Sequence, residues 1–283
     1  MRMEKEWEYY NHALVPTLPP HIDPDTSWMK DRKKWKEYAG GKYPLFARWV
    51  TDFDCSKETE WWHCIKDTPF DISVIPAKKR YEINKGRKNS EVRLIQPEKY
   101  AKQLAEVNCK ARRHYGDSFD YEEEKAYLTE EFLKGPYMPE AEYVGVFFRE
   151  TGELIGYGIY EVYEDWVLQS VIKTDPDYLK YSVNAALVAF ALERYMNHSP
   201  AIRYLTNGTR NVLHETNYHE YLMKYFGFRK AYCQLHIRYR KWTGAVVTVL
   251  YPFRSLIYKV KGHGLMRMVG SVLKMEEIHR TFR

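Results

Sequence analysis

The sequence predicts an α/β protein of the α+β kind, with a mixed, mostly antiparallel sheet flanked by helices. Three observations predict it. Residues 143–148, 154–163 and 166–173 are rich in β-branched and aromatic side chains and are separated by short polar turns, the first of them Glu150-Thr151-Gly152-Glu153. That is the pattern of consecutive strands. A long apolar segment follows, from Asp175 to about Met196. Asp175 suits an N-cap, because its carboxylate can accept from free first-turn N–H groups, and Pro176 suits the first helical position. Leu179, Val183, Ala186, Leu187, Phe190 and Ala191 make this helix apolar almost all round, so burial is expected. Strand and helix then alternate again, through residues 202–206 and a helix that stops at Gly227, a C′ glycine in position.

Composition narrows the class. The chain has 283 residues, 45% hydrophobic and 29% charged, which is ordinary for one large folded domain or two small ones. The formal charge of +6 suits an anionic substrate or cofactor without demanding nucleic acid. Tyrosine is abundant, at 25 residues, and supplies apolar area with a polar tip. The first ten residues are charged and contain no apolar core of a signal peptide. No apolar run approaches the roughly 20 residues that span a bilayer. The four cysteines are scattered with no CxxC and read as reduced structural thiols. These features give a cytoplasmic protein, in which the Asn197-His198-Ser199 and Asn207-Gly208-Thr209 sequons are chance.

The remaining elements follow in order. Residues 1–40 are rich in Pro, Trp and charge and read as a wrapping arm. Residues 45–50 and 60–65 read as a short hairpin turned by residues 52–58, with Trp49, Trp61 and Trp62 more suited to a core than to a stacking surface. Residues 76–88 form a basic helix carrying Lys78, Lys79, Arg80, Lys85, Arg87 and Lys88. Six cations on one short helix repel one another, so a partner anion would relieve them; a solvated face is the alternative. A strand at 91–95 is followed by helices at 97–115 and 121–133, the second stopped by Gly135-Pro136. Residues 231–239 alternate as a strand. Thr243-Gly244 turns it into a second strand at 245–250, closing a hairpin. Leu265, Val269, Val272 and Met275 give the tail at 264–282 an amphipathic, basic helix. The organisation expected is an N-terminal extension to residue 75, a main domain over 76–260 and a C-terminal helix over 261–283.

Tyr221-Leu222-Met223-Lys224-Tyr225-Phe226-Gly227-Phe228, with the order of elements around it, resembles the GNAT acyltransferase fold, in which the fourth helix ends in an aromatic-Gly-Phe turn. The resemblance covers residues 76–250. The basic helix just before the first strand is similar to one in Fem aminoacyltransferases, GNAT-fold relatives that take an amino acid from its tRNA. The chain also resembles uncharacterised bacterial GNAT-like proteins of surface-polysaccharide gene clusters. The GNAT resemblance implies acetyl-CoA or another acyl-CoA as donor, lying where two central strands splay apart. The Fem resemblance implies tRNA as a partner of the basic helix. Two departures stand out. The family's Arg/Gln-x-x-Gly-x-Gly/Ala pyrophosphate loop is replaced by Val171-Ile172-Lys173-Thr174-Asp175-Pro176-Asp177-Tyr178, which has no glycine. The family's tyrosine acid, four residues before the fourth-helix glycine, is Met223. Tyr221 and Tyr225 lie about 200° away around the helix; Tyr225 stays a catalytic candidate. With Asp175 and Asp177 at the helix start, either CoA binds weakly or the donor is something else.

The candidate residues follow from that frame. Glu161 could be a general base for an incoming ammonium, or an ordinary strand-end carboxylate; Glu164 is a weaker candidate. Gln169 and Ser170 are polar in a central strand, so they are bonded structurally or aimed at a substrate. Val171, Ile172 and Lys173 would line the donor, with a backbone N–H near Val171 or Ile172 polarising its carbonyl. Asn207, Arg210 and Asn211 end a strand where open α/β sheets bind ligands. Asn217 would touch substrate. His214 could move a proton or sit as a structural histidine. No metal constellation is visible: His214 and His219 are five apart with no carboxylate pair behind them. There is no P-loop and no Ser or Cys nucleophile motif. The function expected is N-acyl transfer from a thioester or ester to a primary amine, on a small molecule or glycan such as an amino sugar or amino acid. Fem-like transfer from aminoacyl-tRNA is one alternative. A non-catalytic glycan- or partner-binding protein is the other.

Overall fold

The computed structural model describes residues 6–212, 217–259 and 264–282. In chain order they give β1 (Trp7–Tyr10), β2 (Ala13–Pro16), α1 (Arg32–Tyr38), β3 (Phe46–Thr51), β4 (Trp62–Lys66), α2 (Ala77–Asn89), β5 (Ser90–Ile95), α3 (Ala101–His114), α4 (Tyr121–Leu133) and β6 (Ala141–Phe148). Next come β7 (Leu154–Val162), β8 (Trp166–Thr174), α5 (Val183–Leu192), β9 (Tyr204–Thr209), α6 (Asn217–Phe226), β10 (Arg229–Tyr232), β11 (Gln234–Tyr239), α7 (Lys241–Leu250), α8 (Arg254–Ile257) and α9 (Leu265–Arg280). The chain divides into two units. One contains Met1–His63, Thr209–Asn217 and Lys230–Arg283; the other contains Cys64–Gly208 and Tyr218–Arg229. The first unit therefore draws on all three segments that the sequence suggested.

The first unit is built on a four-stranded sheet in the order β1-β2-β3-β11. Asn11 and His12 take left-handed angles, φ 45° and 65°, and turn β1 back on β2. The hairpin of the N-terminal region is thus β1–β2. Residues 45–50 and 60–65 do not form one: β3 pairs with β11 and β2, while β4 belongs to another sheet. The arm is folded, not loose. Trp7, Trp28 and Trp35 form a buried cluster with Leu14 and Ala47. Their indole N–H groups donate to main-chain carbonyls of Asp25 and Met29, so burial leaves no indole donor unmatched there. On the other side Phe46, Trp61, Leu235 and Ile237 pack with Met275 and Ile278 of α9. The amphipathic tail helix docks on its own unit.

Two expectations fail here. Residues 231–239 are not one strand. They break at Cys233 into β10 and β11, which lie in different sheets. Residues 245–250 are not a strand but most of α7. Val246, Val247, Thr248 and Val249 favour strands locally, but that preference depends on context. Here Val247 is buried, and Arg254 one stretch further on bonds Glu277 of α9, so tertiary packing sets the helix.

Most of the seven-stranded sheet, in the order β10-β4-β9-β8-β7-β6-β5, belongs to the second unit. β5, β6, β7 and β8 are antiparallel neighbours, and β8 and β9 run parallel. The strand beside β9 is β4, from before β5, rather than a strand of a closing hairpin. Leu104 and Val107 of α3 and Phe132 of α4 pack on Tyr143, Tyr157 and Ile159. The helix predicted from Asp175 to Met196 comes in three pieces. Pro176–Tyr181 is a 3-10 turn, Ser182 is left-handed at φ 62°, α5 follows, and Glu193–Asn197 is a π turn. Asp175 does cap the first piece, accepting from the Asp177 N–H. α5 is nearly all buried. Helix α2 lies against it at Gly86, where an added Cβ would stand 2.7 Å from the Ser182 carbonyl and 2.8 Å from the Ala186 Cβ.

Candidate active site

β8 and β9 pair only at Trp166–Tyr204, Val167–Leu205 and Leu168–Thr206. Both strands run further, β8 to Thr174 and β9 to Thr209. The two therefore part after Leu168 and Thr206. The base of this opening is polar. Gln169 Oε1 accepts from Asn207 Nδ2 at 3.0 Å and from the Tyr218 hydroxyl at 3.1 Å. Gln169 Nε2 donates to the Tyr160 hydroxyl at 3.1 Å, and Asn207 Nδ2 also reaches the Gln169 carbonyl at 3.3 Å. His219 Nε2 lies 3.4 Å from the Asn207 carbonyl. Burial pushes the Tyr218 hydroxyl well above its usual value, with Tyr160 and Tyr221 adding to it, so Tyr218 stays a neutral donor. Burial pulls His219 down, favouring the neutral ring.

The next residue along β8 serves the other face. The register of β7 and β8 slips between Ile159–Val171 and Tyr160–Gln169, leaving Ser170 as the extra residue of a bulge. A bulge re-aims a side chain and ends regular pairing. Ser170 Oγ donates to the Ile159 carbonyl at 3.2 Å and lies 3.4 Å from the Tyr137 hydroxyl. Tyr137 donates to one Glu161 oxygen at 2.5 Å and Tyr163 to the other at 2.7 Å. Burial first, then the bond to Glu161, raises both phenols. Ile159, two residues before Glu161 on β7, packs among α3 and α4; Tyr160 packs on Tyr195 after α5. Glu161 thus faces the α3–α4 side, and Gln169 with Tyr160 faces the α5 side.

The side chains of the other sequence candidates lie elsewhere. Val171 packs partly against the α3–α4 core, and Ile172 pairs with Gly158. Lys173 stands opposite Tyr157; burial, then Arg112, disfavours its ammonium form. Arg210 and Asn211 belong to the first unit, where the Arg210 guanidinium is held by the Glu60 and Asn211 carbonyls. Asn217 is exposed at the start of α6. Tyr225 lies against Lys79 and Tyr221. His214 falls outside the described residues. In the basic helix, Lys79 is buried, with its ammonium 4.6 and 4.4 Å from the rings of Tyr221 and Tyr225 and paired with Glu82. Arg80 bonds the Ser73 carbonyl and Arg87 bonds Glu193. These three hold the helix in place. Lys78 and Lys88 are exposed and Lys85 is half-buried. No group of three or more His, Cys, Asp or Glu that could hold a metal occurs among the described residues. Among them, too, no helix is long and apolar enough to cross a membrane.

The turn from β8 into α5 does not fit a CoA pyrophosphate. The Asp175 carboxylate accepts from Asp177 N–H and, at 2.7 Å, from Lys110. The N–H groups of Tyr178, Ser182 and Ala185 donate within the turn. Two carboxylates stand where a pyrophosphate would need free amides. A cleft of about 810 Å³ borders this turn and α3. Its Lys102, Lys110, Lys125 and Lys180 are balanced by Glu106, Glu153, Asp175 and Asp177, so it is no polyanion cradle either. Calorimetry with CoA should therefore give a Kd of about 1 mM or weaker. Micromolar binding, with phosphate on the amides of residues 175–178, would contradict this reading of the turn.

The sequence pointed to Gln169, Ser170, Asn207 and Glu161, which the structure gathers on and beside β8. It missed Tyr137, Tyr160, Tyr163 and Tyr218. The available signal for Tyr218 was its place beside His219 at the start of the helix after β9.

No protein-family model matches the chain, and no curated protein matches its sequence. Solved structures do. FemX superposes with a TM-score of 0.52 over 89% of this chain and 86% of its own, at 10% identity. A tandem GNAT protein from the clavulanic acid biosynthesis pathway gives 0.42 over 80% and 74%, at 14% identity. The PaiA N-acetyltransferase of Thermoplasma acidophilum, solved with coenzyme A, gives 0.30 over 38% and 72%, at 17% identity. The fold is similar to that of FemX. At such identities the likeness speaks for the fold and not for the chemistry.

Proposed function

We propose that this protein is an acyltransferase that moves an acyl group from an activated ester or thioester to a primary amine. The observation that carries the reading is the parting of β8 from β9 above Gln169, Asn207 and Tyr218, one residue from the Glu161–Tyr137–Ser170 cluster. A carbonyl held in the opening lies along the β8 edge that no strand pairs, where an N–H near Val171 or Ile172 can polarise it. The amine approaches over Glu161. Its nitrogen attacks the carbonyl carbon, the N–C bond forms, and Glu161 takes a proton directly or through water. The C–O or C–S bond breaks, and the neutral Tyr218 hydroxyl passes a proton to the leaving group as it regains one, through water, from the Glu161 carboxyl. The two carboxylates of the β8–α5 turn favour an ester donor, such as an aminoacyl ester, over a CoA thioester. That choice leaves the Fem-like reading open, with Lys78, Lys85 and Lys88 as the helix cations not used for packing.

The test offers aminoacyl esters and acyl-CoA thioesters with a panel of primary amines, amino sugars and amino acids included, and detects amide by mass spectrometry. Amide formation from an ester donor is expected. No amide from any donor, with amines or glycans still raising the melting temperature, would favour a non-catalytic binding protein.

A further inference from the structure

The segment from α7 through α8 is apolar on two opposite faces. Val247, Tyr251 and Arg254 turn toward α9: Val247 is buried, and Tyr251 stacks with Arg254 and Arg280, which pair with Glu277 and Glu276 of α9. Trp242, Val246, Val249, Phe253 and Leu256 point the other way. Within α7 their spacing of 4 and 3 residues keeps Trp242, Val246 and Val249 on one stripe at about 100° per residue, and Phe253 and Leu256 follow on the exposed side beyond the 3-10 turn at Tyr251–Phe253. All five are exposed; Trp242 is 77% and Leu256 62% accessible. Scattered exposed apolar residues are normal, but a continuous stripe of this kind is not.

The charge around the stripe is of one sign. Residues 230–275 contain nine Lys and Arg and no Asp or Glu. Some of these cations are spent inside the unit: Arg254 and Lys274 on Glu277, Arg240 on the Tyr43 ring and Lys230 on the Trp62 ring. Lys241 and Lys259, at the two ends of the stripe, are exposed and have no carboxylate partner among the described residues. Arg238 and Arg267 are exposed as well.

The geometry points to an anionic lipid surface as the occupant of this stripe. Aromatic and aliphatic side chains enter the acyl boundary while flanking cations meet the headgroups, as in helices that lie in a membrane interface. Anionic lipid matches the missing acids, and the aliphatic side chains discriminate against nucleic acid, since Val246, Val249 and Leu256 gain nothing from phosphate. A second copy of this chain would bring like charges together. The inference does not rest on the catalytic reading.

The test is sedimentation of the full chain with phosphatidylglycerol-containing vesicles and with pure phosphatidylcholine vesicles. Binding to the first, little to the second, and weakening with salt are expected. Phe253→Ser and Leu256→Ser, both at exposed positions, should each lower the partition coefficient by roughly tenfold at an unchanged melting temperature. Emission should shift to the blue on binding in the wild type and not in Trp242→Phe. Three results would overturn the proposal: equal or absent binding to both vesicles, stripe variants that bind as the wild type does, or a dimer that the same variants dissociate. tRNA binding lost in Lys241→Glu and kept in Leu256→Ser, without vesicle binding, would assign the surface to RNA instead.

Discussion

His63→Phe should flatten the acid limb of this protein's stability profile and raise stability at neutral pH. His63 is buried in β4, and neither ring nitrogen has a hydrogen-bond partner. Burial, and after it the nearby Arg48, pulls its pKa from 6.5 to about 3. The unfolded chain therefore binds a proton between pH 6.5 and 3 that the native chain refuses. Native stability is full above pH 6.5 and falls as the pH drops toward 3, by about 1.4 kcal/mol per unit and about 5 kcal/mol in all. Phenylalanine fills similar space, titrates nothing and removes two unsatisfied polar atoms, a gain of about 1–3 kcal/mol. Urea unfolding at pH 7.5, 6, 5 and 4 checks it. Parallel curves for wild type and variant would show that His63 does not set the acid limb.

Gly86→Ala should destabilise the second unit by about 2 kcal/mol. The new methyl meets the Ser182 carbonyl and the Ala186 Cβ inside contact distance, and both belong to the buried helix–turn segment behind α2. Overpacking of this kind costs about 3 kcal/mol. Ala is the better helix former by about 1 kcal/mol, so the net effect remains a loss. α2 would have to lift, loosening Lys79 from the Tyr221 and Tyr225 rings. Denaturant unfolding measures it; a change below about 0.5 kcal/mol would mean that α2 and α5 are not packed at Gly86 as described.

Local chemistry explains which parts of the fold were legible. α4 could be read to its ends because Asp120 caps it, accepting from Glu123 N–H, and Gly135 follows it at φ 86°. β6, β7 and β8 announced themselves as β-branched and aromatic runs bounded by polar turns. The break at Cys233 did not, because Cys233 is buried and keeps the alternation of its neighbours. α7 was hidden by its β-branched run, and the place of β4 beside β9 is a long-range pairing that no local pattern encodes. Within the site, Gln169 and Ser170 stood out because a polar pair in a central strand demands partners. Tyr137 and Tyr218 could not stand out among 25 tyrosines. Arg210 drew attention as a cation at a strand end where open α/β sheets bind ligands, yet backbone carbonyls hold it, a partnership invisible in sequence.

The measurement that bears most directly on the proposed chemistry is single-turnover acyl transfer, with preloaded ester donor and saturating amine, in wild type, Tyr218→Phe and Glu161→Gln. Both variants keep size and fold; Tyr218→Phe leaves Gln169 Oε1 still bonded to Asn207. Losing a general acid or base costs about 10² to 10⁴ in rate. Both variants should therefore fall by at least about 10²-fold with melting temperatures close to wild type, and the Glu161→Gln loss should shrink toward high pH, where the amine is already neutral. Wild-type rates in both variants would contradict catalysis at the parting of β8 and β9.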